Sequence, residues 1–269
     1  MGSSILLQYG RRRLALSQAL GENVDMCGRF SVGFEADYLS RKLGAVLRGD
    51  TDYPSPTLQI NPTDPVVFLR GRAGDGSVGR ELAAGRWGLV PSFSKSFDSK
   101  VPTWNARSET AGAIPVFKAS LPKWRAVVPA SAYYEWKKSG PGRKDPKQRY
   151  IVEPQDELIT FAGLFAPWRD ESILDKSAPG AWRLSCSILT MDSPPEGVHE
   201  RLHNLHDRIP VPISADMIDD WIDPKETRGQ ALLDVVLGDA YGLASSWTMR
   251  PVELVDDNTK LVDVANPAA

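Results

Sequence analysis

Tyr150-Ile151-Val152-Glu153, Thr160-Phe161-Ala162-Gly163-Leu164 and Leu184-Ser185-Cys186-Ser187-Ile188-Leu189-Thr190 are three short apolar runs, and polar loops such as 169–180 punctuate them. Runs of this length between turn-forming residues predict strands. Further strands are predicted at 30–32, 66–69, 81–89 and 126–128, with residues 71–79 forming a glycine-rich hairpin tip. Helices are fewer. Leu39, Leu43, Val46 and Leu47 have amphipathic spacing and predict one over 36–47. A short helix is expected at 109–116, and two more at 214–222, capped by Ser214, and 225–237. Segment 50–65 is proline-rich and expected to be irregular, and 137–148 is a polar loop. Many short strands with few helices predict an α+β fold. The expectation is a single domain on a curved, mostly antiparallel β-sheet, barrel-like, with short flanking helices.

Composition sets ordinary bounds on function. The 269 residues are 42% hydrophobic and 25% charged, enough to bury a sizeable core. The apolar stretches are too short to span a membrane. The formal net charge of -2 exerts no general pull on nucleic acid, so any such binding needs a local basic face. The two cysteines make no disulfide framework and suit a reducing compartment.

One of those cysteines stands in an unusual place. Met26-Cys27-Gly28-Arg29-Phe30 reads as the start of a protein, although 25 residues precede it. Arg11-Arg12-Arg13 followed by Leu14-Ala15-Leu16 is too briefly apolar for a secretory signal. Residues 1–26 are therefore expected to be a leader, removed or never made, ahead of a domain over 27–255 and a tail over 256–269. A chain starting at Cys27 carries an α-amine and a thiol on adjacent carbons. Such a 1,2-aminothiol condenses with an aldehyde and closes the imine as a thiazolidine; an internal cysteine cannot.

Four further segments are too polar or too aromatic for their surroundings. They are Arg86-Trp87-Gly88-Leu89-Val90-Pro91, Asn105-Ala106-Arg107-Ser108-Glu109, Ala132-Tyr133-Tyr134-Glu135-Trp136 and His206-Asp207-Arg208-Ile209-Pro210. Together with Met26-Cys27-Gly28-Arg29-Phe30, and in this order, they resemble the motifs of the SOS response-associated peptidase, or SRAP, family. The resemblance extends through Phe161-Ala162-Gly163-Leu164-Phe165 and covers about 26–255. It departs at Asn61-Pro62-Thr63, where the asparagine directly precedes the proline, at Phe93 in place of a usual tryptophan, and at Ile209 in place of methionine.

The resemblance implies a protein that cross-links to abasic sites in single-stranded DNA through Cys27, with Asn105, Glu135 and His206 completing the reactive set. His206 would move the proton that opens the sugar. Glu135, its pKa raised by aromatic neighbours, would protonate the departing hydroxyl. Arg29, Arg107 and Arg208 suit phosphates, and Trp87 and Pro62 suit stacking on or wedging between bases. The implied partners are abasic single-stranded DNA and the replication machinery. A cytoplasmic, nucleoid-associated monomer is expected, with no cofactor, metal or membrane. Two other readings remain open: a cysteine peptidase with Cys27 as nucleophile and His206 as base, and a non-covalent single-stranded DNA-binding module. Outside the resemblance, Cys186 reads as a buried strand residue. His199 and His203, four apart, lack a third ligand and read as part of a solvated, basic loop.

Overall fold

A computed structural model describes residues 28–72, 78–98, 101–140, 145–256 and 259–264. The chain opens with β1 (Arg29–Val32), α1 (Ala36–Leu43), β2 (Thr57–Ile60), β3 (Pro65–Arg72), β4 (Gly79–Trp87) and β5 (Asn105–Arg107). It continues through α2 (Pro115–Lys118), β6 (Arg125–Ala130), β7 (Ala132–Lys138), β8 (Lys147–Glu153), β9 (Ile159–Arg169) and β10 (Trp182–Asp192). Last come α3 (Glu200–His203), β11 (Arg208–Pro210), α4 (Ile218–Ile222), α5 (Gly229–Ala244), β12 (Thr248–Val255) and β13 (Lys260–Asp263). No described helix is long and apolar enough to cross a membrane.

The strands form two sheets. One is antiparallel throughout, in the order β13-β12-β8-β7-β1-β2. The other runs β11-β10-β4-β3-β6-β9, and β9 pairs back onto β10, closing a five-stranded barrel. Between its strands, the only parallel pairings among the described residues are those of β10 with β4 and β5. The α+β class and the curved, mostly antiparallel sheet follow as expected. Closure requires strands to approach β10 closely, and two glycines permit it. A Cβ at Gly85 of β4 would lie 2.6 Å from the Leu184 carbonyl oxygen, and one at Gly163 of β9 2.8 Å from that of Ser187.

The core fills the barrel and the space between sheets. Phe30 of β1 meets Trp87 of β4 edge-on, with ring centroids 4.8 Å apart, and Tyr133, Phe161 and Trp247 form a second edge-on group. Buried Arg125 fastens the barrel to the segment around α4. Its guanidinium donates to the carbonyls of Leu121, Trp221, Asp223 and Glu226. The Trp221 carbonyl, in the last turn of α4, would otherwise be left without an intrahelical partner, and the same side chain also satisfies the turns on either side.

Several boundaries differ from expectation for identifiable reasons. Helix α1 stops at Leu43 because Gly44 takes a left-handed conformation, φ 61°, and Ala45 N–H returns to the Ser40 carbonyl. Val46 then bridges to Glu81 of β4 instead of continuing a helix. Residues 109–114 are turns, with the short α2 only after them. Ser214 makes no side-chain cap; a 3₁₀ turn over Ala215–Met217 opens that segment. Helix α5 starts at Gly229 and runs on to Ala244. Segment 50–65 is not wholly irregular, since β2 pairs with β1 there. The sheet also continues beyond the boundary expected at 255, because β13 pairs with β12. The expected leader, 1–26, lies outside the described residues, as does the tip of the β3–β4 hairpin.

Removing Arg125 should be costly. Arg125→Ala would leave the carbonyls of buried Leu121 and Trp221 without this donor, a loss of about 3 kcal/mol or more. Urea unfolding of the variant should show a clearly lowered midpoint; a midpoint within error of wild type would refute this role.

Candidate active site and nucleic-acid interface

Cys27 lies outside the described residues, so the site is built from Gly28 onward. Strand β1 pairs with β7 in the register Arg29↔Tyr134, Phe30↔Tyr133 and Ser31↔Ala132. Alternation along the strands divides these side chains between two faces. Phe30, Tyr133 and Glu135 share the face toward the main core, while Arg29, Tyr134 and Trp136 share the opposite one. Glu135 is thereby buried, 1% exposed, and one carboxylate oxygen accepts the Trp136 N–H at 3.1 Å.

Asn105 and Arg107 come from the other sheet. Strand β5 lies parallel to β10, with Ile188 opposite Asn105 and Thr190 opposite Arg107, so the two polar side chains share one face. The segment is positioned through the carbonyl of Trp104, which accepts from Trp87 Nε1 and from the Ile188 N–H, both at 2.9 Å. Arg107 Nε is buried without a hydrogen-bond acceptor among the described residues. Such a donor suits an arriving anion.

His206 and Arg208 lie on the far side of β10, where β11 pairs Arg208 with Asp192 and Pro210 with Thr190. The Arg208 guanidinium is only 5% exposed and already held by carboxylates. It bonds Glu109 through both oxygens, at 2.7 and 2.9 Å, as well as Asp192 and the Thr190 carbonyl. Burial opposes the charge on both Arg208 and Glu109. Their pairing outweighs it, holding the guanidinium above its ordinary pKa and the Glu109 carboxyl below its own. Arg208, expected from the resemblance to suit a phosphate, thus ties the turn after β5 to β10 and β11 through Glu109 and Asp192.

The His206 ring depends on this arrangement. Its Nδ1 lies 2.7 Å from Asp207 Oδ1 and 3.1 Å from the Arg208 backbone nitrogen. One ring nitrogen cannot donate to Asp207 and accept from Arg208 at once. A proton on Nδ1 favours Asp207; a lone pair there accepts the Arg208 N–H and puts the proton on Nε2. The imidazole therefore has two settings that differ in which nitrogen carries the proton.

Pro62 and Arg29 belong to one local structure. Arg29 Nε donates to Asn61 Oδ1 at 3.0 Å, and Asp64 Oδ2 accepts the Asn61 backbone N–H at 2.8 Å. The turn adopts a left-handed conformation at Thr63, φ 83°, whose N–H reaches the Trp87 carbonyl at 2.7 Å. Trp87 thus anchors both the Pro62 turn and the Asn105 segment from a fully buried position, 0% exposed. It cannot stack on a base from there, which corrects the role expected of it. Phe93, six positions further along the chain, is 66% exposed, at the position where the resemblance has tryptophan. The motif departure was the signal for it, but its exposure was not legible.

The remaining candidates are structural. His199 caps α3, its Nδ1 accepting the Leu202 N–H and its Nε2 facing the Trp247 carbonyl, while His203 Nδ1 lies 3.0 Å from the Pro194 carbonyl. A short helix thus stands where a loop was expected, while the solvated character holds, with His203 exposed and His199 half-buried. Among the described residues no cluster of three or more His, Cys, Asp or Glu could hold a metal ion. Cys186 is wholly buried in the barrel wall, and desolvation pushes its thiol pKa far up.

The elements therefore bring Asn105, Arg107, His206 and Arg208 around the end of β10, and Arg29 and Pro62 to the start of β1. Glu135 comes from β7, and the Phe30–Trp87 contact joins the two groups.

Comparison with known proteins supports the family and the fold. The model of the family described as SOS response associated peptidase (SRAP) matches residues 26–254. The abasic site processing protein YoqW of Bacillus subtilis is 29% identical over 202 residues, covering 75% of this chain and 82% of that protein. The abasic site processing protein HMCES of Rattus norvegicus is 30% identical over 254 residues, covering 78% and 68%. Among solved structures, a Bacteroides thetaiotaomicron protein superposes with a TM-score of 0.65 at 19% identity, over 84% of this chain and 92% of that one. A phage-related protein from Bordetella bronchiseptica gives 0.59 at 26% identity, over 88% and 100%. With its motifs, its fold and the family model in agreement over most of its length, the chain belongs to the SOS response associated peptidase family.

Proposed function

We propose that this chain, once it begins at Cys27, recognises abasic sites in single-stranded DNA and forms a covalent thiazolidine cross-link that shields the lesion. The observation that carries the reading is the β1–β7 register. Continued by one step, it sets Gly28, the residue bonded to Cys27, opposite buried Glu135. Family membership and relatives named for abasic site processing support the same substrate.

The chemistry follows from those groups. An abasic sugar reacts through its open aldehyde form. His206 moves the proton that opens the ring, and Asn105 orients the sugar oxygen. The α-amine adds to the aldehyde, and Glu135 protonates the departing hydroxyl, so one water leaves as the imine forms. The thiol then adds to the imine carbon and its proton passes to nitrogen, closing the thiazolidine with no oxidant or metal required. Reference pKa values of about 7.7–8.0 for an α-amine and 8.5 for a thiol leave both partly reactive at neutral pH. Arg29 and Arg107 meet flanking phosphates, and Phe93 and Pro62 face the neighbouring bases. Arg208 positions the His206 segment. Peptidase activity is confined to exposing Cys27, and the setting is damaged template at replication in the cytoplasm.

Active protein should lack residues 1–26, and N-terminal sequencing of cross-linking-competent material should begin at Cys27. Cys27→Ala should abolish the denaturation-resistant adduct, leaving at most an imine that reduction can trap. An equally stable adduct from Cys27→Ala, or activity with the leader intact, would sink the aminothiol mechanism.

Glu135→Gln keeps shape and hydrogen bonding but cannot supply the proton. Single-turnover adduct formation should slow by about 10²- to 10⁴-fold, with affinity for a non-reactive abasic analogue nearly unchanged. Cross-linking at the wild-type rate would remove Glu135 from the mechanism.

A further inference from the structure

Trp136 carries an arginine on each flank. Its cross-strand partner on β8 is Arg149, whose guanidinium carbon lies 5.1 Å from the centre of the Trp136 ring and 5.7 Å from that of Tyr134. From β1, on the other side of β7, the Arg29 guanidinium carbon lies 4.8 Å from the same Trp136 ring. The register makes this unavoidable: Arg29 pairs with Tyr134 and Arg149 with Trp136, all on the face opposite Glu135. Two cations and two aromatic rings are therefore layered across three adjacent strands.

The two arginines are not equally satisfied. Arg29 is braced by Asn61. The Arg149 guanidinium, half-buried, makes neither a hydrogen bond nor an ion pair among the described residues. Glu153, further along β8, is engaged by Arg250 of β12, which removes the carboxylate on its own strand. Burial first, then the charge of Arg29, lowers the pKa of Arg149, while Tyr134 and Glu253 oppose that weakly. Five donors held over apolar rings beside a second cation, with no carboxylate between them, form a site short of one anion.

We propose that Arg149 and Arg29, with Trp136 between them, clamp one backbone phosphodiester of single-stranded DNA on the outer face of β7. The clamp takes its strand from the abasic-site reading, but it contacts backbone alone and so serves undamaged DNA equally. It lies next to the start of β1, so a phosphate held there registers the strand against residue 27 before any bond forms.

The test uses protein beginning at Cys27 and a labelled, lesion-free oligothymidylate, with affinity measured over a range of salt. Arg149→Ala should weaken binding by about three- to tenfold at low salt and reduce the slope of log K against log salt by about 0.7, the value for one phosphate of a single strand. Arg149→Lys should restore the slope, and the thermal midpoints should match wild type. An unchanged slope in Arg149→Ala overturns the clamp, as does equal loss in the alanine and lysine variants, which marks mere packing. Failure of wild type to bind the oligothymidylate also overturns it. Adduct formation on abasic DNA is scored separately. A normal adduct with an unchanged slope removes the clamp and leaves the proposed function standing, whereas the lowered slope without any adduct does the reverse.

Discussion

The backbone carbonyl of Trp104 is the point on which the rest of the site depends. Three donors converge on it: the Trp87 indole, the Ile188 N–H and the Ser187 hydroxyl, the last at 3.2 Å. Each such bond is worth about 0.5–1.5 kcal/mol net, and a buried carbonyl without them would cost more. The convergence fixes the residue before Asn105 against β4 and β10 together. Since Trp87 also packs edge-on against Phe30, the same node locates the first strand. Trp87 has the residue type of a DNA-stacking platform, yet its work is to hold the two sheets in register with each other.

Strand β10 plays the corresponding role for the charged groups. It takes β4 and β5 in parallel and β9 and β11 antiparallel, so residues distant in sequence reach one stretch of backbone. Arg208 then closes an electrostatic ring through Glu109 and Asp192. Its carboxylates are partly exposed, which moderates the energy, but the geometry is two-pronged and leaves little freedom to the turn carrying His206. The candidate positions on short β5 and just before β11 are thereby held by a neighbouring ion pair.

Much of this is legible in the order of the amino acids. Apolar runs such as 160–164 and 184–190 announce strands because a strand buried on both faces is continuously apolar. The motif order around Cys27, Asn105, Glu135 and His206 announces the family. The misses have physical causes. Strands β2, β5 and β11 are three or four residues long, too short for a period to register, and their pairing is decided by partners far along the chain. Trp87 and Arg208 have the residue types of a nucleic-acid surface, and only tertiary packing shows that both are enclosed. Arg149 gives no local signal, because no short window of sequence reveals that Arg29 stands over the same ring. Arg125 resembles any strand arginine until the carbonyls of residues 221–226 surround it.

Cys186 has a consequence for how the protein can be handled. Its thiol is enclosed by the barrel and held protonated far above neutrality, so it offers no thiolate to solvent. The chain has only two cysteines, and burial silences this one. Alkylating probes, fluorophores and crosslinkers that attack thiolates thus leave Cys186 untouched while the fold is intact. Modification at 186 becomes a reporter of the barrel opening. Burial thus makes this side chain an internal gauge of the fold's integrity.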